Sequence, residues 1–146
     1  EISESCVKFL VKKEALKLNN CTALPFQDYN LVPHVISSAK ACIVCLHKKF
    51  TGLSVPSKTY GVLACGKPVI GFLEDKSEIG SMILNNDLGV LINDKTDKES
   101  MITDLLNFIE SIDSIKENQI INYFQENHTL KKIGSLYHEV LFGLVD

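Results

Sequence analysis

The segment Gly52-Leu-Ser-Val-Pro-Ser-Lys-Thr-Tyr-Gly-Val-Leu-Ala-Cys-Gly-Lys-Pro-Val-Ile-Gly71 predicts, in order, a loop, a short helix, a glycine stop and a buried strand. Pro56 suits the start of the helix, because the N–H group that proline lacks would have no partner there. Gly66 suits its end, where the chain often enters the left-handed region. Pro68 then opens the apolar strand Val69 to Phe72.

The start of this short helix is suited to bind an anion. The first amides of a helix have no partners within it, and they lie at the positive end of its dipole. Ser57 adds a hydroxyl group and Lys58 adds a cation at this point. We therefore expect an anion site there, most simply for a phosphate group. The small residues Gly61, Ala64 and Gly66 predict that the helix packs closely on its neighbour.

Length and composition favour one domain of ordinary globular character. The chain has 146 residues, of which 45% are hydrophobic and 23% are charged. A net charge of −3 argues against a general nucleic-acid-binding protein, and we expect no nucleic-acid partner. All 15 cationic residues are lysines, so no arginine clamp is present to hold a phosphate group. No apolar run approaches the roughly 18 residues of a membrane span.

The five cysteines predict neither a metal site nor a disulfide framework. They are odd in number, and most lie in apolar stretches. Cys42 and Cys45 have the spacing of a redox or zinc motif, but both belong to the apolar run Ala41 to Leu46. Positions three apart on a strand face opposite sides, so these thiols are poorly placed to bind one metal ion. We interpret the cysteines as buried, reduced thiols of a cytoplasmic protein.

The rest of the chain predicts an alternation of strands and helices. The run Ala41–Leu46 is continuously apolar, as is typical of a strand that helices bury on both faces. The alternation predicts an α/β domain with a Rossmann-like parallel sheet, helices on both faces and a helical C-terminal end. The predicted strands cover residues 21–26, 41–46, 69–72 and 89–92, and helices are expected over 3–18, 31–40, 57–65, 78–85, 97–112, 115–126 and from 130 onward.

Polar residues at helix starts, and apolar spacing within the helices, support these boundaries. Ser77 and Thr129 are expected to cap the helices that follow them, and Thr96 with Glu99 forms a capping-box pattern. Ligands of parallel α/β sheets bind at the carboxyl ends of the strands. Three loops meet that description: Phe26–Asn30, His47–Ser57 and Phe72–Ser77. The expected apolar faces are Val7, Leu10, Val11 and Ala15 in the first helix, Ile79, Met82 and Ile83 after Ser77, and Ile102, Leu105, Leu106, Ile109 and Ile112 after Thr96.

The pair of segments Leu53-Ser-Val-Pro-Ser-Lys-Thr-Tyr60 and Leu63-Ala-Cys-Gly-Lys-Pro-Val-Ile70 resembles the C-terminal domain of GT-B glycosyltransferases of family four. The resemblance is to the bacterial branch that builds capsule, colanic-acid and O-antigen saccharides. It covers nearly the whole chain, because flanking segments are also similar to the family in position and order. These are Leu24-Pro-Phe-Gln27, Ser77-Glu-Ile79, Leu88-Gly-Val90 and Asn127-His-Thr-Leu130.

The resemblance implies specific roles in binding a nucleoside-diphosphate sugar. Ser57 and Lys58, preceded by Pro56, fall where the family cradles the donor diphosphate, and Gln27 falls on the loop that meets the base. Many members carry two glutamates, seven residues apart, of which the second holds the ribose. Leu53 and Gly61 occupy those positions here. Gly61 departs from the pattern, and Glu78 is one candidate to replace the missing carboxylate. The resemblance implies no cofactor or metal ion, and it leaves the catalytic residues unknown.

In this family the acceptor and much of the catalytic site lie on a separate N-terminal domain. The chain is therefore expected to be an N-terminally truncated donor-binding domain, without the basic pair that neutralises the diphosphate. A saccharide or lipid-linked acceptor would bind through the missing domain, and the fragment alone is expected not to transfer sugar. A peripheral membrane association of the full-length enzyme is compatible with this interpretation.

Two other interpretations remain open. A sugar-nucleotide epimerase with a GT-B fold would usually place a glutamate and a histidine or arginine around the phosphate helix, and that pattern is not evident. A non-catalytic or degenerate GT-B module is supported by the glycine at position 61. Binding of nucleotide sugars separates a module that keeps its donor site from one that has lost it.

Overall fold

The computed structural model describes residues 4–92 and 97–143, and the chain forms two compact units, Glu1–Val32 and Pro33–Asp146. In the first unit, helix α1 spans Glu4–Ala15, within the predicted range 3–18. The side chains of Val11 and Ala15, on its predicted apolar face, are exposed. The other two members of that face, Val7 and Leu10, have side chains outside the described residues.

The prediction of a strand over residues 21–26 is wrong. These residues are not part of any β-ladder in the described part of the chain. Pro25 lacks the N–H group that a ladder needs, and an apolar, β-prone composition does not by itself supply a pairing partner. A short 3-10 turn, Tyr29–Leu31, follows this segment. The prediction that the loop Phe26–Asn30 follows the end of a strand is therefore also wrong.

The second unit alternates strands and helices and then ends in helices, as predicted. Within the ranges described, no helix is both long enough and apolar enough to cross a bilayer. Pro33 lies in the first turn of its helix, where a missing N–H group is tolerated. The elements are α2 (Val32–Ser37), β1 (Cys42–Cys45), α3 (Lys58–Ala64), β2 (Val69–Phe72), α4 (Glu78–Asn85), β3 (Gly89–Leu91), α5 (Lys98–Ser111), α6 (Glu117–Asn127) and α7 (Leu130–Phe142).

The three strands form one parallel sheet in the order β1-β2-β3. Cys42 of β1 is opposite Val69 of β2, and Val69 is opposite Gly89 of β3. At Gly89 a Cβ atom would lie 1.9 Å from the carbonyl oxygen of Val69, and φ is +152°, so glycine is required for this pairing. The sheet and its helices confirm the predicted α/β class and parallel arrangement, with three strands among the described residues in place of the predicted four.

Helices cover both faces of the sheet. On the first face, Val44 and Val69 pack in one core with residues of α3, α4 and α6, among them Leu63, Ile83 and Ile120. On the second face, Ile70 packs in a separate core with Ile92, Phe108 and Ile112. Consecutive residues of a strand face opposite sides of the sheet, which explains why neighbours in β2 belong to different cores.

The second face is covered less completely than predicted. Ile43 of β1 is 66% exposed, whereas Val44, which faces the other side, is 5% exposed. Along α5 the residues that pack inward are Met101, Leu105, Phe108 and Ile112. Three members of the predicted inner face, Ile102, Leu106 and Ile109, are at least half exposed. The apolar spacing therefore predicted the helix and the inward positions of Leu105 and Ile112 correctly, and it was wrong for Ile102, Leu106 and Ile109.

The predicted helix caps are confirmed at two sites and displaced at a third. Ser77 Oγ accepts a hydrogen bond from the amide of Gly80, and Thr129 Oγ1 accepts one from the amide of Lys132. The cap of α5 is Asp97, whose carboxylate accepts from the amides of Glu99 and Ser100. Thr96, predicted as that cap, lies outside the described residues.

Candidate functional site

A cleft opens at the carboxyl edge of the sheet, between the loop after β1 and the start of α4. Its volume is about 220 Å³. One wall is the loop from Gly52 to Pro56 with Leu46 behind it, and the other is Ser77, Glu78 and Ile79. This is the edge at which parallel α/β sheets bind ligands. The volume is below the roughly 300 Å³ at which pockets for drug-sized ligands begin, so the cleft alone accommodates only part of a sugar nucleotide.

The start of α3 presents two amides without partners. The amide of Thr59 donates to the carbonyl of Pro56, and the amide of Tyr60 donates to the carbonyl of Ser57. The amides of Ser57 and Lys58 have no partner among the described residues, and both side chains are exposed. Ser57 is the N-cap, but its hydroxyl makes no capping hydrogen bond. Two amide donors, a hydroxyl group and a cation are therefore available to an anion at this point.

The start of α4 is more fully hydrogen-bonded than the start of α3. The buried hydroxyl of Ser77 accepts from the amide of Gly80 at 3.0 Å and donates to the carbonyl of Glu74 at 2.6 Å. A Cβ atom at position 80 would lie 2.2 Å from that same carbonyl, so only glycine lets the loop fold back this closely. The amides of Glu78 and Ile79 have no partner within the described ranges. They lie in the wall of the cleft.

The carboxylate of Glu78 is held from outside the cleft by an aromatic cluster. Tyr60 donates its hydroxyl hydrogen to Oε1 of Glu78 at 3.3 Å. The ring of Tyr60 lies 5.0 Å from the ring of His128, which also contacts Tyr123 and Phe124 at 5.5 and 6.2 Å. Burial raises the pKa of Tyr60, and the negative charge of Glu78 raises it further. Burial lowers the pKa of His128, although Glu78 opposes that shift.

The structure brings some of the predicted site residues together. Pro56 and Glu78 line opposite walls of the same cleft, and Ser57 and Lys58 follow directly after Pro56. Gly61 is exposed, and a Cβ atom there would meet no atom within 4 Å. Gln27 belongs to the first unit, where its side-chain amide donates to the carbonyl of Pro25 at 2.8 Å.

The predictions for the small residues near α3 are confirmed at Gly66 and are wrong at Gly61 and Ala64. Gly66 has φ of +70°, which confirms the left-handed helix end, and a Cβ atom there would lie 3.0 Å from Ile121 of α6. Gly61 and Ala64 are exposed, so the prediction of close packing is wrong for them. Lys67, beside Gly66 in the motif, is buried and forms an ion pair with Glu117 of α6. This lysine therefore attaches α6 to the end of α3 and is not available to a ligand.

Sequence reasoning missed the cluster formed by Tyr60, Tyr123, Phe124 and His128. Tyr60 and His128 were both noted as parts of similar segments, but nothing in their separate contexts indicates that their rings meet. His47, which begins the second of the predicted ligand-binding loops, accepts a hydrogen bond from the amide of Lys49 and so caps a 3-10 turn. No signal in the sequence separates that local role from a functional one.

The larger cavity of the second face is a poorer candidate for a phosphate ligand. Its volume is about 310 Å³, and its lining is apolar apart from Lys98. Phosphate recognition needs several donors, which this lining does not provide. No group of three or more histidine, cysteine, aspartate or glutamate residues in the described part of the chain is arranged to hold a metal ion.

Comparison of the chain with protein-family models, with curated proteins and with solved structures finds no match in any of the three. The resemblance to glycosyltransferases therefore rests on the motif residues themselves. The α/β fold is compatible with that resemblance, but such folds carry many unrelated functions.

Proposed function

We propose that this chain is the donor-binding domain of a glycosyltransferase, which moves a sugar from a nucleoside-diphosphate sugar to a saccharide or lipid-linked acceptor. One observation carries the proposal. Pro56, which opens the Pro56-Ser57-Lys58 motif, lines a cleft at the carboxyl edge of a parallel sheet, and a second helix start, at Glu78, forms the opposite wall. The motif and the fold thus point independently to the same edge.

The diphosphate would bind at the start of α3. The unpartnered amides of Ser57 and Lys58 would donate to its oxygens, and the ammonium group of Lys58 would neutralise part of its charge. When the bond to the anomeric carbon breaks, negative charge grows on the departing diphosphate, so the same donors would stabilise the transition state. Since α3 has only seven residues, these local groups matter more than the dipole of the helix.

The ribose would be recognised by Glu78 rather than by position 61. A carboxylate accepts two hydrogen bonds from vicinal hydroxyl groups, and the Glu78 side chain lies in the wall of the cleft. Gly61 provides no acceptor, but the space around it is open. The role of Gln27 at the base stays what the resemblance implies, and its side-chain amide donates to the carbonyl of Pro25.

The acceptor would bind to a separate domain, so we propose that this chain alone binds donor without transferring sugar. A cytoplasmic location belongs to the same proposal. The four cysteines that the structure describes, at positions 21, 42, 45 and 65, are all free thiols, as is usual in a reducing compartment. None of these four is buried, so the prediction of buried thiols is wrong for them.

Titration calorimetry with the UDP, GDP and ADP forms of a sugar tests the proposal. We expect one of the three to bind the wild-type chain, and Lys58→Ala to weaken that binding about tenfold, because a charge-assisted contact to phosphate is lost. Lys131→Ala, which removes an exposed lysine from α7, is the matched control and should bind as the wild type does. Absence of binding by all three at millimolar concentration would overturn the proposal.

Gly61→Glu tests the ribose assignment separately. Because the added side chain meets open space, the variant should fold normally and bind the same nucleotide sugar several-fold more tightly, through a second carboxylate. Gly134→Glu, at an equally open glycine of α7, controls for the added charge. An unchanged affinity would show that position 61 does not face the ribose and would remove the family argument for it.

The alternative of a degenerate module is supported by the same glycine. Such a module would bind nucleoside diphosphate at Ser57 and Lys58 but would gain nothing from the sugar. Equal affinities for a nucleoside diphosphate and its sugar conjugate would favour this alternative. Tighter binding of the conjugate would favour the transferase.

A further inference from the structure

We propose that Tyr60 and His128 are positioning residues that hold the Glu78 carboxylate at the cleft, and that a proton on His128 releases it. A ligand that hydrogen-bonds this carboxylate would then bind more weakly in acid, although His128 does not line the cleft. The ligand class, a nucleoside-diphosphate sugar, rests on the function proposed above. The mechanical link between His128 and Glu78 does not depend on it.

Tyr60 is the physical link between the cleft and the cluster. Its hydroxyl group donates to Glu78 Oε1 at 3.3 Å, and the centre of its ring lies 5.0 Å from that of His128 with the planes tilted by 54°. Tyr60 is fixed on α3, whereas Glu78 is the first residue of α4. The carboxylate is exposed, so this hydrogen bond is its anchor among the described residues. Moving the ring of Tyr60 therefore moves or frees the carboxylate.

His128 provides the surface on which the ring of Tyr60 packs. It lies at the corner between α6 and α7, where its amide donates to the carbonyl of Phe124 at 2.8 Å. Its Nε2 atom is buried and has no hydrogen-bond partner in the part of the chain that the structure describes. A neutral imidazole tolerates this position with Nε2 unprotonated. An imidazolium does not, because its second N–H group would be buried without an acceptor.

Three titratable groups face His128 from the elements packed against it: Tyr60 from α3, Tyr123 from α6 and Glu78 from α4. Burial raises the pKa of both tyrosines, so neither changes charge in acid. His128 is therefore the group of this cluster that can gain a positive charge as the pH falls. Once protonated, its ring is drawn out toward water, and this movement removes the packing surface of Tyr60.

The sign of the stability change follows from the same geometry. Because burial lowers the pKa of His128 in the folded chain below its ordinary value near 6.5, the unfolded chain takes up the proton first. The contribution of neutral His128 to stability is therefore complete above about pH 6.5, and it is lost as the pH falls from there toward the folded-state pKa. The cluster should loosen in acid with or without a ligand.

The first experiment follows the Glu78 side chain by NMR between pH 7.5 and 5 in the absence of ligand. In the wild type we expect its carboxyl signal to shift in a step that coincides with the titration of the His128 ring. His128→Phe keeps an aromatic ring but removes the titration, and it should abolish the step. Tyr60→Phe keeps the packing but removes the hydroxyl group, and it should also abolish the step while His128 still titrates.

Matched controls are available on α7. His138→Phe and Tyr137→Phe alter the same residue types at exposed positions and should leave the step intact. The proposal would be overturned if the Glu78 carboxyl signal of the wild type did not shift as His128 titrates. It would also be overturned if that shift persisted in Tyr60→Phe. Since Tyr60→Phe removes a single oxygen atom, the test remains valid even if His128→Phe does not fold.

The second experiment measures the affinity of a nucleoside-diphosphate sugar, whose diphosphate does not titrate in this range, at pH 7.5 and pH 5. We expect a several-fold loss of affinity in the wild type, and no pH dependence in His128→Phe. Equal pH dependence in both proteins would overturn the proposal. If no such ligand binds at any pH, the proposed function fails, and the ligand-free titration still decides whether His128 positions Glu78.

Discussion

The two faces of the sheet are built differently. On the first face, three helices close around Val44 and Val69, and residues such as Leu63 and Ile83 are fully buried. On the second face, α5 covers β2 and β3 but leaves Ile43 of β1 largely exposed. The candidate cleft opens at the edge of the first face. A site that must hold several groups in fixed positions thus lies beside the better packed of the two cores.

The largest contrast between the faces is expected from matched isoleucine truncations. Ile83→Ala on α4 removes a fully buried side chain and should lower the free energy of unfolding by about 3–4 kcal/mol. Ile109→Ala on α5 removes a half-exposed side chain and should cost less than about 1 kcal/mol. Urea unfolding measures both. Similar losses would mean that the second face is as well packed as the first.

Alanine substitutions at two glycines should change the free energy of unfolding in opposite directions. Gly80→Ala would place a Cβ atom 2.2 Å from the carbonyl of Glu74 and should cost about 2–3 kcal/mol through displacement of the loop before α4. Gly134→Ala, in the open middle of α7, should gain about 0.5–1 kcal/mol from helix propensity. Thermal unfolding of the two variants reports both signs. A neutral Gly80→Ala would contradict the account of the hydrogen-bonded α4 start.

The smallest difference in the loss of stability is expected between the removal of two ion pairs. Because Lys67 is buried, Glu117→Gln leaves its ammonium group without a charged partner. The free energy of unfolding should fall by about 1–2 kcal/mol, a figure kept small because Glu117 is itself 60% exposed. The pair of Lys40 and Asp113 is at least 75% exposed on both sides, and Asp113→Asn should cost about 0.5 kcal/mol or less. Urea unfolding at low and high salt separates the two. Equal costs would show that Lys67 is effectively solvated.

Sequence patterns predicted the elements of the first face closely, because their signals are local. Ser77 caps α4 as predicted, and Ile79 and Ile83 share a buried face because they are four residues apart on that helix. The bounds of β2 match the predicted strand, since Pro68 and the following apolar run lie in adjacent positions. The positions of the motif residues at the cleft could be predicted for the same reason.

The failures concern long-range partners. Residues 21–26 have the composition of a strand but pair with none among the described residues, because β pairing depends on a distant segment. Ile43 could not be recognised as exposed, since its burial depends on how far α5 extends across the sheet. The contact between Tyr60 and His128 likewise joins α3 to the corner after α6, and no periodicity encodes it. In each case the missing information is which distant element lies opposite.

The most direct test of the account maps donor binding onto the backbone amides by NMR. With the UDP, GDP and ADP sugars added in turn, we predict that one of them shifts the amides of Ser57, Lys58, Glu78 and Ile79 together. These amides have no partner within the described ranges. Glu78 and Ile79 line the cleft, and Ser57 and Lys58 follow directly after Pro56, which also lines it. Amides of α5 on the second face, such as those of Met101 and Leu105, should not move. Shifts confined to α5, or none at millimolar ligand, would contradict the claim that the cleft binds a nucleotide sugar.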